Sequence, residues 1–140
     1  MLFRSDNAYA SLFFGIYNDR SQCLRYANCG HLSGLLLRQT GSLERLDSTC
    51  TVLGLFPDWE CSMTECALRS GDTLVLYTDG VTESFNHYEE EFGEERLLAL
   101  LHQHQALPAQ DLATAIVHEV QSFSSNRQHD DITLIVAKGQ

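Results

Sequence analysis

The apolar residues change rhythm near residue 92. Before it they come in short runs of strand length, separated by turn residues. Residues 11–17 read as a buried strand, 18–21 as a turn and 23–27 as a second strand, together a hairpin. Residues 28–31 read as a loop. Residues 34–38 and 43–46 give two more strands around a turn at 40–42. Residues 47–58 are irregular and carry Gly54 and Pro57. Residues 59–68 alternate as a strand with one wet face does. Residues 73–78 read as a strand whose positions 74–77 are apolar in succession, which suits cover on both faces, and it runs straight into Asp79-Gly80.

After residue 92 the spacing becomes helical. Residues 92–101 begin a helix with Glu94 and Glu95 in its first turn, at the positive end of the dipole. Pro108 opens a second helix, on which Leu112, Ala113, Ile116, Val117, Val120 and Phe123 make one apolar face. Residues 132–137 are a final strand. Five or six hairpin-type strands, two helices and one more strand argue for an α+β fold built on antiparallel sheet. Helices on one face leave the other face of the sheet to be covered by something else. The length, 140 residues, suits a single domain over 1–140.

Charge and cysteine content narrow the classes. The net charge is −10 with one lysine, Lys138, which argues against a nucleic-acid binder. The acids at Glu89, Glu90 and Glu91 read as a solvated loop. No run is long and apolar enough to span a membrane, and a cytoplasmic protein is expected. The five cysteines show no paired metal-ligand spacing, so free thiols in a reducing compartment are expected rather than a zinc knuckle or a disulfide framework.

Two places carry chemistry. Asp79 closes the apolar strand, and Asp130-Asp131 precede the last one. If those strands pair antiparallel, the end of one lies beside the start of the other, and the carboxylates converge. Converging carboxylates call for a cation between them, and oxygen ligands suit magnesium, manganese or calcium. Read alone, the same acids could equally cap a loop. Gly80 is expected to let the backbone turn away after Asp79, and Glu83 is close enough in sequence to share the site. The second place is Asn28-Cys29-Gly30-His31, where His31 could ligate, shuttle protons or simply turn.

Several segments together resemble the bacterial SpoIIE/RsbU-type serine/threonine phosphatases, a branch of the metal-dependent PP2C-like superfamily. Tyr26-Ala27-Asn28-Cys29-Gly30-His31 is similar to that family's Y-A-N-A-G-H. The stretch from Gly71-Asp72 to Leu76-Tyr77-Thr78-Asp79-Gly80-Val81-Thr82-Glu83 resembles G-D-x-L-x-L-Y-T-D-G-V-x-E. Phe92-Gly93 with Arg96-Leu97 matches F-G-x-x-R-L, Asp130-Asp131-Ile132-Thr133 matches D-D-x-T, and Leu53-Gly54 fits an L-G pair. The resemblance implies an αββα sandwich of antiparallel sheets. It implies a manganese or magnesium pair between them, whose water attacks a phosphoserine or phosphothreonine. It makes Asp79 and Asp130 metal ligands and catalytic residues, with His31, Gly80, Glu83 and Asp131 as accessory positions. It implies as partner a phosphorylated regulator of the STAS type, an anti-sigma antagonist.

One departure matters. The family's early D-x-x-G-H-G element, whose Asp bridges both metals, has no counterpart in these residues. The expectation is therefore the C-terminal part of the catalytic domain, lacking the N-terminal strand and helix elements. About half of the ligands would be present, the metal would be held weakly or not at all, and the uncovered surface would favour a homodimer. The competing expectation is a catalytically inactive, phosphatase-like module that binds a regulator without turnover. A third is a plain α+β domain whose acids only terminate strands.

Overall fold

The computed structural model describes residues 8–125 and 131–140. In chain order its elements are β1 (Leu12–Asn18), β2 (Cys23–Cys29), β3 (Gly34–Leu37), β4 (Leu43–Leu46), β5 (Thr64–Ala67), β6 (Thr73–Tyr77), α1 (Asp79–Thr82), α2 (Gly93–Gln103), α3 (Ala109–Phe123) and β7 (Leu134–Lys138). They form two sheets with strand orders β1-β2-β5 and β4-β3-β6-β7. Neighbouring strands are antiparallel throughout. The α+β sandwich of antiparallel sheets expected from the sequence is the fold observed.

Strand alternation decides which core each side chain enters. On β3 and β6, Leu35, Leu37, Val75 and Tyr77 point to the helices and pack with Leu97 and Leu101 of α2 and Leu112, Ile116 and Val120 of α3. Leu36 and Leu74 point the other way and meet Leu24, Tyr26 and Leu68 from the three-stranded sheet. The four-stranded sheet is thus buried on both faces, which is why β3 and β6 read as unbroken apolar runs. The layers are helices, sheet, sheet. The far side of the three-stranded sheet is open: Leu12, Phe14 and Ile16 are 41%, 48% and 51% exposed.

Four details correct the sequence reading. Strand β2 continues through Asn28 and Cys29, where a loop was expected. Within 59–68 only Thr64–Ala67 is strand; the preceding stretch is tied to the 49–51 segment instead, with the Trp59 indole N–H donating to the Thr51 carbonyl at 3.0 Å. A one-turn helix, α1, follows β6 where a simple turn was read. Cys50 and Cys61 form a disulfide, whereas free thiols were expected. Their separation of 11 positions in sequence gives no spacing signature, and the tie between 59 and 51 is what joins them. Among the described residues no helix is long and apolar enough to cross a membrane.

Candidate active site

The end of β6 and the approach to β7 are stitched together. The Thr78 backbone N–H donates to the Thr133 carbonyl at 3.1 Å. The Thr133 N–H donates in return to Thr78 Oγ1 at 3.2 Å. Two residues on, a Cβ built on Gly80 would lie 2.1 Å from the Asp131 carbonyl oxygen. No side chain fits there. Gly80 is therefore needed for close approach of the 131 backbone, not for the positive φ that would let the chain turn away. The expected meeting of the two segments is present at residues 78–80 and 131–133. Asp130 lies outside the described residues.

Asp79 is the first residue of α1 and is exposed. Among the described residues its carboxylate has no hydrogen bond or ion pair. Its backbone is committed: the Glu83 N–H donates to the Asp79 carbonyl at 2.7 Å. The buried Ser84 hydroxyl donates to the Gly80 carbonyl at 2.8 Å. A rigid backbone thus carries a carboxylate that no described residue engages, and Glu83 and Asp131 are exposed nearby in the chain path. Carboxylate oxygens suit a hard cation such as manganese or magnesium, but among the described residues Asp79, Glu83 and Asp131 are not gathered within 4.8 Å of one another.

Asn28 is fully buried and makes three hydrogen bonds. Its Nδ2 donates to the carbonyls of Leu32 and Leu46 at 3.2 and 3.1 Å. Its Oδ1 accepts from the His31 N–H at 2.9 Å. Asn28 is therefore the pin that shapes the turn carrying His31. Gly30 completes that turn at φ +68°, where a Cβ would strike Val52. His31 is half-buried and lines a cleft of about 240 Å³ with Phe13, Leu76, Thr78, Thr133 and Ile135. Its Nδ1 lies 3.2 Å from the Leu32 carbonyl. The cleft lies between the two sheets and reaches the Thr78–Thr133 stitch, so His31 is brought to the same end of the molecule as Asp79.

The other aspartate of the β6 region behaves differently. Asp72 is 4% exposed. It accepts from the Gln39 N–H at 3.0 Å, the Arg69 N–H at 2.9 Å and the Arg38 guanidinium at 2.8 Å. Burial pushes its carboxyl up, but these three donors outweigh that and hold it below the ordinary range. Arg38 is shared with Glu44 on β4, whose carboxyl is lowered mainly by the hydrogen bond from Arg38. In the sequence Asp72 stands only as part of the Gly71–Glu83 segment of the resemblance. Neither it nor Asn28 nor the two threonines was singled out, although Thr78 and Thr133 each stand one or two residues from a named acid and could have been paired by the same antiparallel reasoning.

Comparison with known proteins bears on the family and the fold. A family model described as Stage II sporulation protein E (SpoIIE) matches residues 2–140. The chain is 31% identical over 127 residues to Protein IcfG of Synechocystis, covering 91% of this chain and 20% of that protein. It is 30% identical over 132 residues to the phosphoserine phosphatase RsbU of Bacillus subtilis, covering 93% and 39%. It thus spans between a fifth and two-fifths of the length of these relatives. Among solved structures it is similar to the SiaA-PP2C domain of Pseudomonas aeruginosa, with TM-score 0.73, 24% identity, and coverage of 86% of this chain and 48% of that one.

Proposed function

The chain belongs to the SpoIIE family, and from that premise we propose that it forms part of the catalytic domain of a metal-dependent protein serine/threonine phosphatase. One observation carries the reading: the Asp79 carboxylate, without a partner among the described residues, stands on a backbone locked to the 131–133 segment by the Thr78–Thr133 pair and by the Gly80 contact. Asp79 and Asp130 would hold manganese or magnesium, with Glu83, Asp131 and His31 as accessory groups. Such a cation, when bound, neutralises phosphoryl charge and acidifies water. The rest is the chain's own work. Gly80 admits the 131 backbone, the threonines fix its position, and Asn28 holds His31 at the cleft. The net charge of −10 would repel a phosphate, so a bound cation is also what lets a phosphorylated side chain approach.

The substrate class proposed is a phosphoserine or phosphothreonine on a regulatory protein of the STAS type, and the relative RsbU being a phosphoserine phosphatase supports it. A cytoplasmic location goes with that reading. The test is hydrolysis of a phosphopeptide with manganese by the native full-length protein, as wild type and as Asp79→Asn. An unchanged rate in the variant refutes the ligand role.

One observation favours a second reading, a module that holds a regulator without turnover. The open apolar row of Leu12, Phe14 and Ile16 could seat a partner or a second copy of the chain. Absence of any manganese-dependent hydrolysis by the native protein, with retained binding of a regulator, would select it. Sedimentation at high concentration tests the homodimer.

A further inference from the structure

Three cysteines far apart in sequence meet at the open end of β2. The N–H groups of Thr49 and Cys50 both donate to the Asn28 carbonyl, at 2.8 and 3.1 Å, and Cys29 and Cys50 form a parallel bridge. Ser62 Oγ donates to the Thr49 carbonyl at 3.1 Å, which brings Cys61 alongside. The Cys29 sulfur lies 3.4 Å from that of Cys50 and 4.0 Å from that of Cys61. Cys29 is 1% exposed. Cys50 and Cys61 are bridged to each other. The other two cysteines, Cys23 and Cys66, stand apart from this cluster as free thiols.

We propose that the reduced chain binds one soft d10 cation, zinc or copper(I), through the thiolates of Cys29, Cys50 and Cys61, and that the Cys50–Cys61 disulfide closes this site. Hydrogen bonds gather the three segments, backbone to backbone for Cys29 and Cys50 and from the Ser62 and Trp59 side chains for Cys61, so the cluster does not depend on the disulfide alone for its assembly. All three ligand atoms lie within 4.8 Å of one another, the spread that a single ion with sulfur bonds of about 2.3 Å can bridge. Thiolates select soft cations, whereas carboxylate oxygens such as those of Asp79 suit hard ones, so the two sites do not compete. Three thiolates satisfy copper(I); zinc, which takes four ligands, would keep one position for water. A cation here would tie the end of β2, two residues before His31, to the 49–61 segment. The site does not rest on the phosphatase reading.

The disulfide is opened with a tertiary phosphine. Phosphorus attacks one sulfur, the S–S bond breaks, and water turns the phosphorus into its oxide while supplying the protons of both thiols. The reduced native protein is then loaded, without oxygen, with zinc alone or copper(I) alone, and binding is read by native mass spectrometry and by competition with a chromophoric chelator. One ion per chain is expected in at least one arm, and the arm that binds names the cation. The oxidised protein should bind none. Cys29→Ser and Cys61→Ser should each weaken binding by more than about 100-fold, beyond what loss of an outer-shell partner costs. Asp79→Asn should leave it unchanged. Circular dichroism shows whether the variants are folded; if Cys29→Ser is not, Cys61→Ser decides. Failure of the reduced protein to bind either cation stoichiometrically overturns the proposal. So does binding by the folded cysteine variant within threefold of wild type.

Discussion

Asp72 and Asp79 flank the same strand, β6, seven residues apart, and their surroundings are opposite. Asp72 is buried and accepts from two backbone N–H groups and a guanidinium, so most of its acceptor capacity is used and no ligand can reach the rest. Asp79 is exposed and its carboxylate is uncommitted among the described residues. Burial with full satisfaction makes an acid structural, because removing it strands its donors. Exposure on a rigid backbone makes an acid available, because its neighbours are already held by other bonds. The difference cannot be read from residue type, since both follow or precede an apolar run beside a glycine. It lies in where Arg38, Gln39 and Arg69 are brought by β3 and by the turn into β6.

The largest separation of the two should come from Asp79→Asn. In the native full-length protein phosphopeptide turnover is expected to fall about 10³-fold, equivalent to about 4 kcal/mol of transition-state stabilisation. The free energy of urea unfolding should change by no more than about 0.5 kcal/mol, the usual range for an exposed site. Asp72→Ala should do the reverse. It is expected to cost about 3 kcal/mol in urea unfolding, because a partly buried guanidinium and two N–H groups lose one acceptor. Turnover per folded molecule should stay near wild type. If Asp72→Ala lowers turnover as much as Asp79→Asn does, the division of labour along β6 is wrong.

The pH dependence sharpens the same contrast. The Asp72 carboxyl is held below its ordinary value of 3.8 in the folded state. Its contribution is therefore present above the unfolded pKa and is lost as pH falls through the lower, folded one. Urea midpoints measured from neutral pH down into that acidic range should drop more steeply for wild type than for Asp72→Asn. Gly80→Ala lies between the two aspartates in effect. Its Cβ would overlap the Asp131 carbonyl, so a loss of about 2 kcal/mol is expected. Because the displaced backbone is that of the site, turnover should fall as well. The smallest effect belongs to Glu44→Ala. Glu44 is half exposed, so its bond to Arg38 should be worth no more than about 1 kcal/mol in a thermal melt.

Periodicity made most of the fold legible. The apolar run of β6 showed on its face that both sides were covered, and the helical face from Leu112 to Phe123 is the one that packs on the sheet. Boundaries failed where tertiary bonds override local pattern. Residues 59–63 alternate like a strand, but Trp59 and Ser62 are bonded to the 49–51 segment instead. Asn28 looked like part of a polar turn; its burial depends on the Leu32 and Leu46 carbonyls, which no local pattern reveals. At the site, strand order alone brought residue 79 to the start of β7. The role of Gly80 was misread, because a glycine needed for room and a glycine needed for φ look alike in sequence. The cysteine cluster was invisible for the same reason that its spacing is irregular: three separate segments assemble it.

The availability of the Asp79 carboxylate at the end of β6 to a cation is the claim everything else turns on, and paramagnetic broadening by manganese tests it without needing turnover. Added to the isotope-labelled chain, the ion should broaden the amide resonances of Thr78, Asp79 and Glu83 together with those of Ile132 and Thr133, and should spare those of Asp72 and Arg69. Asp79→Asn should abolish that pattern. Broadening that persists unchanged in the variant, or that centres on Asp72, would contradict the assignment.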